Sequence, residues 1–102
     1  MVNKKVNLFV GLKKSDMKTD ITQKAALAVV SRELIAIGVV GFNATTINGY
    51  WNAKAEKAVL VSFINTFEVT REQLTQAVTA IKARLEQESI LVEVVPTAFE
   101  FM

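Results

Sequence analysis

The chain contains no histidine and no cysteine. The first absence removes the side chain that titrates nearest neutral pH and serves most often as general acid, general base or metal ligand. The second removes disulfides, thiolate nucleophiles and soft metal ligands. Proline occurs once, at Pro96, and the four glycines stand at positions 11, 38, 41 and 49. They spell neither a dinucleotide fingerprint nor a phosphate-cradling loop. No stretch approaches the roughly 18 consecutive apolar residues of a membrane helix. The opening Met1-Val2-Asn3-Lys4-Lys5 leads into a short alternating run, unlike a signal peptide. The expectation is a cytoplasmic protein with no cofactor, no bound metal and no membrane contact.

What is present describes a globular chain. The 102 residues are 51% hydrophobic and 22% charged, which suits one domain spanning 1–102 with a single core. Lys5 to Leu12 alternates, with Val6, Leu8 and Val10 on one side and Asn7, Phe9 and Gly11 on the other. A polar loop follows. Asp20 and Gln23 have capping-box spacing, and Ala26, Val30, Leu34 and Ile37 make an apolar helical stripe that Gly38 ends.

The second strand begins near Phe42, and its turn has two readings. Asn48-Gly49 is a strong hairpin signal in itself. A turn over Asn52-Ala53-Lys54-Ala55, with Gly49 as a bulge, uses the flanking runs more fully and is preferred. The third strand, Glu56 to Asn65, is apolar on both faces: Ala58, Leu60 and Ile64 on one, Val59, Val61 and Phe63 on the other. Thr70 and Gln73 open a second helix to about Glu88, with Leu74, Val78, Ile81 and Leu85 as its stripe. The last strand, Ile90 to Val95, meets Pro96, which fits a sheet edge, and the alternation allows a continuation through Thr97 to Phe101.

The order β-α-β-β-α-β resembles the ferredoxin-like (α/β plait) superfamily over nearly the whole chain. That resemblance implies an α+β sandwich: a four-stranded antiparallel sheet in the order 4-1-3-2, with both helices on one face. Gly49-Tyr50-Trp51 followed by Glu56 and an apolar strand is also similar to a small family of uncharacterised bacterial proteins with a Gly-x-Trp hairpin motif. Neither resemblance selects a chemistry, because plait domains include enzymes, RNA binders, metabolite sensors and dimerisation modules.

Function is therefore weighed residue by residue. The carboxylates do not pair convincingly, so no catalytic residue is assigned, although a plait enzyme that works by positioning alone needs no histidine. Lys13 and Lys14 are candidates for a small-anion site beside the first helix. RNA binding would use aromatics on the central strands, here Phe9 and Phe63, with basic neighbours. Residues 1–51 carry seven basic and three acidic side chains and residues 52–102 five and seven, a weak footprint for nucleic acid.

An open apolar sheet face is better explained by a homodimer packed through Phe9, Val59, Val61 and Phe63 or their alternates. The C-terminal residues 97–102 could instead fold over that face or exchange between subunits. Tyr50 and Trp51 are hairpin anchors or a binding hot spot. The sum is a non-enzymatic binding or interaction module, a small regulatory or accessory protein of bacterial or phage type.

Overall fold

The computed structural model describes residues 3–51 and 53–102, and of Trp51 the backbone alone. Six elements follow one another: β1 (Lys4–Gly11), α1 (Gln23–Ala36), β2 (Asn43–Trp51), β3 (Lys54–Ile64), α2 (Arg71–Leu85) and β4 (Leu91–Pro96). Every strand pairing is antiparallel and the sheet order is β2-β3-β1-β4. This is the ferredoxin-like order 4-1-3-2 read from the opposite edge.

Alternation in β1 selects the face that meets the helices. Val6, Leu8 and Val10 are fully buried, and the register sets them opposite Phe63, Val61 and Val59 of β3. Opposed residues of an antiparallel pair share a face, so these six side chains form one apolar layer. Ala26, Val30 and Leu34 of α1 and Leu74, Ile81 and Leu85 of α2 close over it in one core cluster. Each such aliphatic burial contributes about 1.5–3 kcal/mol.

This layer corrects the expected dimer surface. Val59, Val61 and Phe63 are at most 3% exposed within the single chain and cannot line an outer face. Phe9 lies on the opposite face, beside Leu60 and Leu91. Both faces of β3 are apolar, so alternation alone could not say which set meets the helices. The register with β1 decides it.

The helix ends follow local capping chemistry. In α1 the cap is Thr22, not Asp20: Thr22 Oγ1 accepts from the Ala25 N–H at 3.1 Å. Asp20 is instead held by Lys13 through a backbone bridge and an ion pair. Gly38 takes φ +92° as the chain leaves α1, a conformation that L side chains rarely adopt. In α2, Thr70 and Gln73 form the reciprocal capping box expected from their spacing. That helix ends at Leu85, short of Glu88, because Glu86 turns left-handed (φ 52°) and the Gln87 N–H bonds the Lys82 carbonyl at 2.9 Å.

The β2–β3 hairpin turns late. Trp51 pairs with Lys54, leaving residues 52–53 as the connection, and Ala53 has φ 61°. Asn52 lies outside the described residues. Gly49 is not a bulge: it pairs with Glu56 in an unbroken register, and Asn48-Gly49 lies inside the strand. β4 is an edge strand that stops at Pro96. Residues 97–102 are not a strand; the Thr97 N–H bonds the Asn3 carbonyl at 3.1 Å, and Phe101 stays 85% exposed.

Candidate functional site

The β1–α1 loop is built by its own short-range bonds. The Asp16 carboxylate accepts from the Thr19 hydroxyl and from the Lys18 and Thr19 N–H groups. These bonds, the Thr19 hydroxyl foremost, hold its carboxyl down at about 2, against the usual 3.8. The loop is then tied to the segment after α2. The Ser15 N–H bonds the Glu86 carbonyl at 2.8 Å, Lys14 Nζ meets the Glu86 carboxylate, and Gln87 Nε2 donates to the carbonyls of Gly11 and Lys13.

A cleft of about 1120 Å³ opens between this loop, the outer half of the β2–β3 hairpin and the entry to β4. Its floor is apolar, with Phe9 of β1, Ile47 of β2, Ala58 of β3 and Ile90 just before β4. Its rim carries Lys13, Lys14, Glu56 and Tyr50, the last 76% exposed. Four of the residues singled out in the sequence (Phe9, Lys13, Lys14 and Tyr50) thus come together around one space. Trp51 ends β2 at the same hairpin, but its side chain lies outside the described residues.

The electrostatics of this space are decided by which charges are already matched. Lys13 Nζ sits 2.8 Å from the Asp20 carboxylate, and that hydrogen bond, reinforced by the charge of Asp20, raises the Lys13 pKa. Lys14 is raised likewise by its bond to Glu86. Both pairs are solvent-exposed and individually weak. An entering anion would still have to compete with two resident carboxylates. Glu56, half-buried, and Glu88 and Lys57, both exposed, line the same cleft, and among the described residues none of the three forms an ion pair, although the charge of Glu56 acts on Lys13. Two carboxylates and one lysine thus stand outside the ion pairs, a balance of one negative charge above an apolar floor. A neutral or cationic ligand with an apolar, flat body suits that arrangement better than an anion.

Gln87 is a cleft residue that the sequence did not single out, and Glu56 entered there only as part of the Gly-x-Trp hairpin resemblance, with no role assigned. Glu56 is one carboxylate among ten acidic residues, and nothing in its neighbourhood in the chain points to β1 or to the loop. The Gln87 amide reaches back across 76 positions to Gly11.

The open sheet face away from the helices is mixed. Across its middle the Ser62 hydroxyl donates to Asn7 Oδ1 at 2.6 Å, and Asn7 Nδ2 donates to Glu93 Oε1 at 2.8 Å. This polar row crosses β3, β1 and β4 at paired positions. With Phe63 buried, Phe9 is left without the second exposed aromatic that stacking of RNA bases would use.

Among the described residues no helix is long and apolar enough to cross a membrane, and no three acidic side chains gather to hold a metal ion.

No protein-family profile matches the chain, and no curated protein matches it. Solved structures do share its fold. A phage SAM lyase in complex with S-methyl-5′-thioadenosine aligns with a TM-score of 0.69 at 19% identity, covering 94% of this chain and 83% of that one. The same type of enzyme in its apo state aligns at 0.69 and 21%, over 90% and 78%. A DUF3240-family protein of Shewanella baltica aligns at 0.61 and 12%, over 100% and 98%. Arabidopsis thaliana PII bound to citrate aligns at 0.57 and 17%, over 93% and 77%. At these identities the likeness concerns the fold, a small ferredoxin-like plait.

Proposed function

We propose that this chain is a small-metabolite-binding plait domain whose cleft takes an adenosyl sulfonium or thioether, S-adenosylmethionine or S-methyl-5′-thioadenosine. The observation that carries the reading is the charge pattern of the cleft. Both loop lysines are engaged by Asp20 and Glu86, which leaves Glu56 and Glu88 against the single lysine Lys57, one net negative charge beside an apolar floor and the Tyr50 ring. A sulfonium attached to a flat base offers the matching features, a positive centre and an aromatic body. That phage SAM lyases share this fold, one of them with a thioadenosine bound, supports the ligand class. We place the protein in the cytoplasm as an oligomeric accessory or regulatory protein of bacterial or phage type. The Gly49-Tyr50-Trp51 hairpin with Glu56 is the sequence signature of its site.

The test is titration calorimetry with three ligands: S-adenosylmethionine, S-methyl-5′-thioadenosine and citrate. Both adenosyl ligands should bind saturably and citrate should not. Glu56→Gln should weaken the cationic sulfonium about tenfold, the equivalent of about 1.4 kcal/mol, and the neutral thioether less. Citrate binding that Lys13→Ala abolishes would instead establish an anion site and overturn the proposal.

A second reading, cleavage of the bound sulfonium, is favoured by the chain's residue inventory. If the substrate's own carboxylate attacks the carbon bearing the sulfonium, a lactone C–O bond forms as the C–S bond breaks and the electron pair leaves on sulfur as a neutral thioether, so no acid or base of the protein is required. A chain without histidine or cysteine can position such a reaction. Chromatography of S-adenosylmethionine incubated with the protein should show S-methyl-5′-thioadenosine accumulating. Binding with no product above the protein-free control would leave the domain a binder and remove the lyase reading.

A further inference from the structure

We infer that the outer edge of β2 is an interface, and that its occupant is the free sheet edge of a second copy of this chain. The inference does not depend on which ligand the cleft takes.

An edge strand presents unpaired N–H and C=O groups, and monomeric proteins blunt such edges with charge, proline, bulges, short length or a covering element. β2 uses none of the first four. It runs nine residues, Asn43–Trp51, and is joined to β3 by a register unbroken from Asn43↔Ser62 to Trp51↔Lys54. Its sequence, Asn43-Ala44-Thr45-Thr46-Ile47-Asn48-Gly49-Tyr50-Trp51, holds no charged residue and no proline. Nor is it covered: Ala44, Thr45, Thr46, Asn48 and Tyr50 are all exposed, and the sheet order leaves its outer side open. The opposite edge is built otherwise. β4 has six residues, carries Glu93 near its middle and stops at Pro96. One molecule therefore guards one edge and leaves the other, longer one free.

The chemistry of the edge favours a second copy as occupant. An uncharged strand meets no like charge when it approaches another molecule of itself, and the whole chain carries a formal net charge of only +2. Threonine, isoleucine and tyrosine are residues suited to a pleated, half-buried surface. Ile47 stands beside Ala58, and Thr45 beside Leu60 and thus Phe9, so an added strand would prolong the apolar rows of the open face. Ile47, Gly49 and Tyr50 also line the cleft, so a copy seated on β2 would stand as its missing outer wall.

The test is light scattering after size exclusion over a wide concentration range, comparing wild type with Thr46→Lys/Asn48→Lys. Both positions are exposed and lie outside the core, so the fold should persist, as checked by circular dichroism. Wild type should show a mass at least twice the 11.2 kDa of one chain, and the double variant should lose that association. In parallel, hydrogen exchange of the β2 amides should slow with concentration in wild type and not in the variant. Thr46→Lys alone serves if the double change unfolds the chain. Wild type at single-chain mass throughout, or an oligomer that the lysines leave intact, would overturn the inference.

Discussion

Asn65 holds Val69 by both ends of its side-chain amide: Oδ1 accepts from the Val69 N–H at 3.0 Å and Nδ2 donates to the Val69 carbonyl at 3.0 Å. Both residues are essentially buried, at 1% exposure each. The pair closes the turn between β3 and α2 and delivers Thr70 to its place as the cap of that helix. It mimics a backbone ladder where the chain has no strand partner.

Asn65→Ala leaves two buried backbone groups without this partner. The expected loss is about 2–3 kcal/mol, which for a domain of this size lowers the melting temperature by roughly 10 °C or more. Binding in the cleft, at the other end of the sheet, should be unchanged. Chemical denaturation checks the first part and calorimetry the second; a loss near zero would show that the turn is held by other contacts.

The two phenylalanines of the central strands should differ in their response to truncation. Phe63 is 3% exposed and packs in the core, with its ring 6.4 Å from Phe67. Phe63→Ala should cost about 3–5 kcal/mol. Phe9 is half-buried on the open face and lines the cleft. Phe9→Ala should cost clearly less stability and, under the proposed function, should weaken adenosyl binding in the cleft. Equal destabilisation by the two changes would contradict the face assignment.

Asp16 provides a pH signature for the loop. Its folded-state pKa is depressed to about 2 from 3.8, so the order it lends the loop is complete above the unfolded value. That order is lost as pH falls from about 4 through about 2. The Lys18 and Thr19 amide resonances, followed by NMR, should titrate with a midpoint near 2, and Asp16→Asn should abolish the transition. A midpoint at 3.8 would mean the three bonds do not form in solution.

The order and approximate length of the elements were legible in the sequence because they rest on interactions between near neighbours. The alternation of Val6, Leu8 and Val10, the stripe of Leu74, Ile81 and Leu85, the Thr70–Gln73 box and the Gly38 stop each involve residues only a few positions apart. Pro96 and the apolar third strand then placed the edge and the centre of the sheet.

The tertiary structure decided what local pattern left degenerate. Asn48-Gly49 is a good turn in isolation and the flanking runs only favoured the later one; the pairing of nine residues of β2 with β3 runs the chain straight through it. Either face of β3 could have met the helices, until pairing with β1 put Val59, Val61 and Phe63 inside. The cleft was the least legible feature. Phe9 and Lys13, Glu56, and Gln87 come from three segments that together span most of the chain. Only the antiparallel sheet, with α2 returning to the β1 loop, sets them around one space. A two-residue period and a capping motif are properties of the chain; which charges stay unmatched in a cleft is a property of its packing.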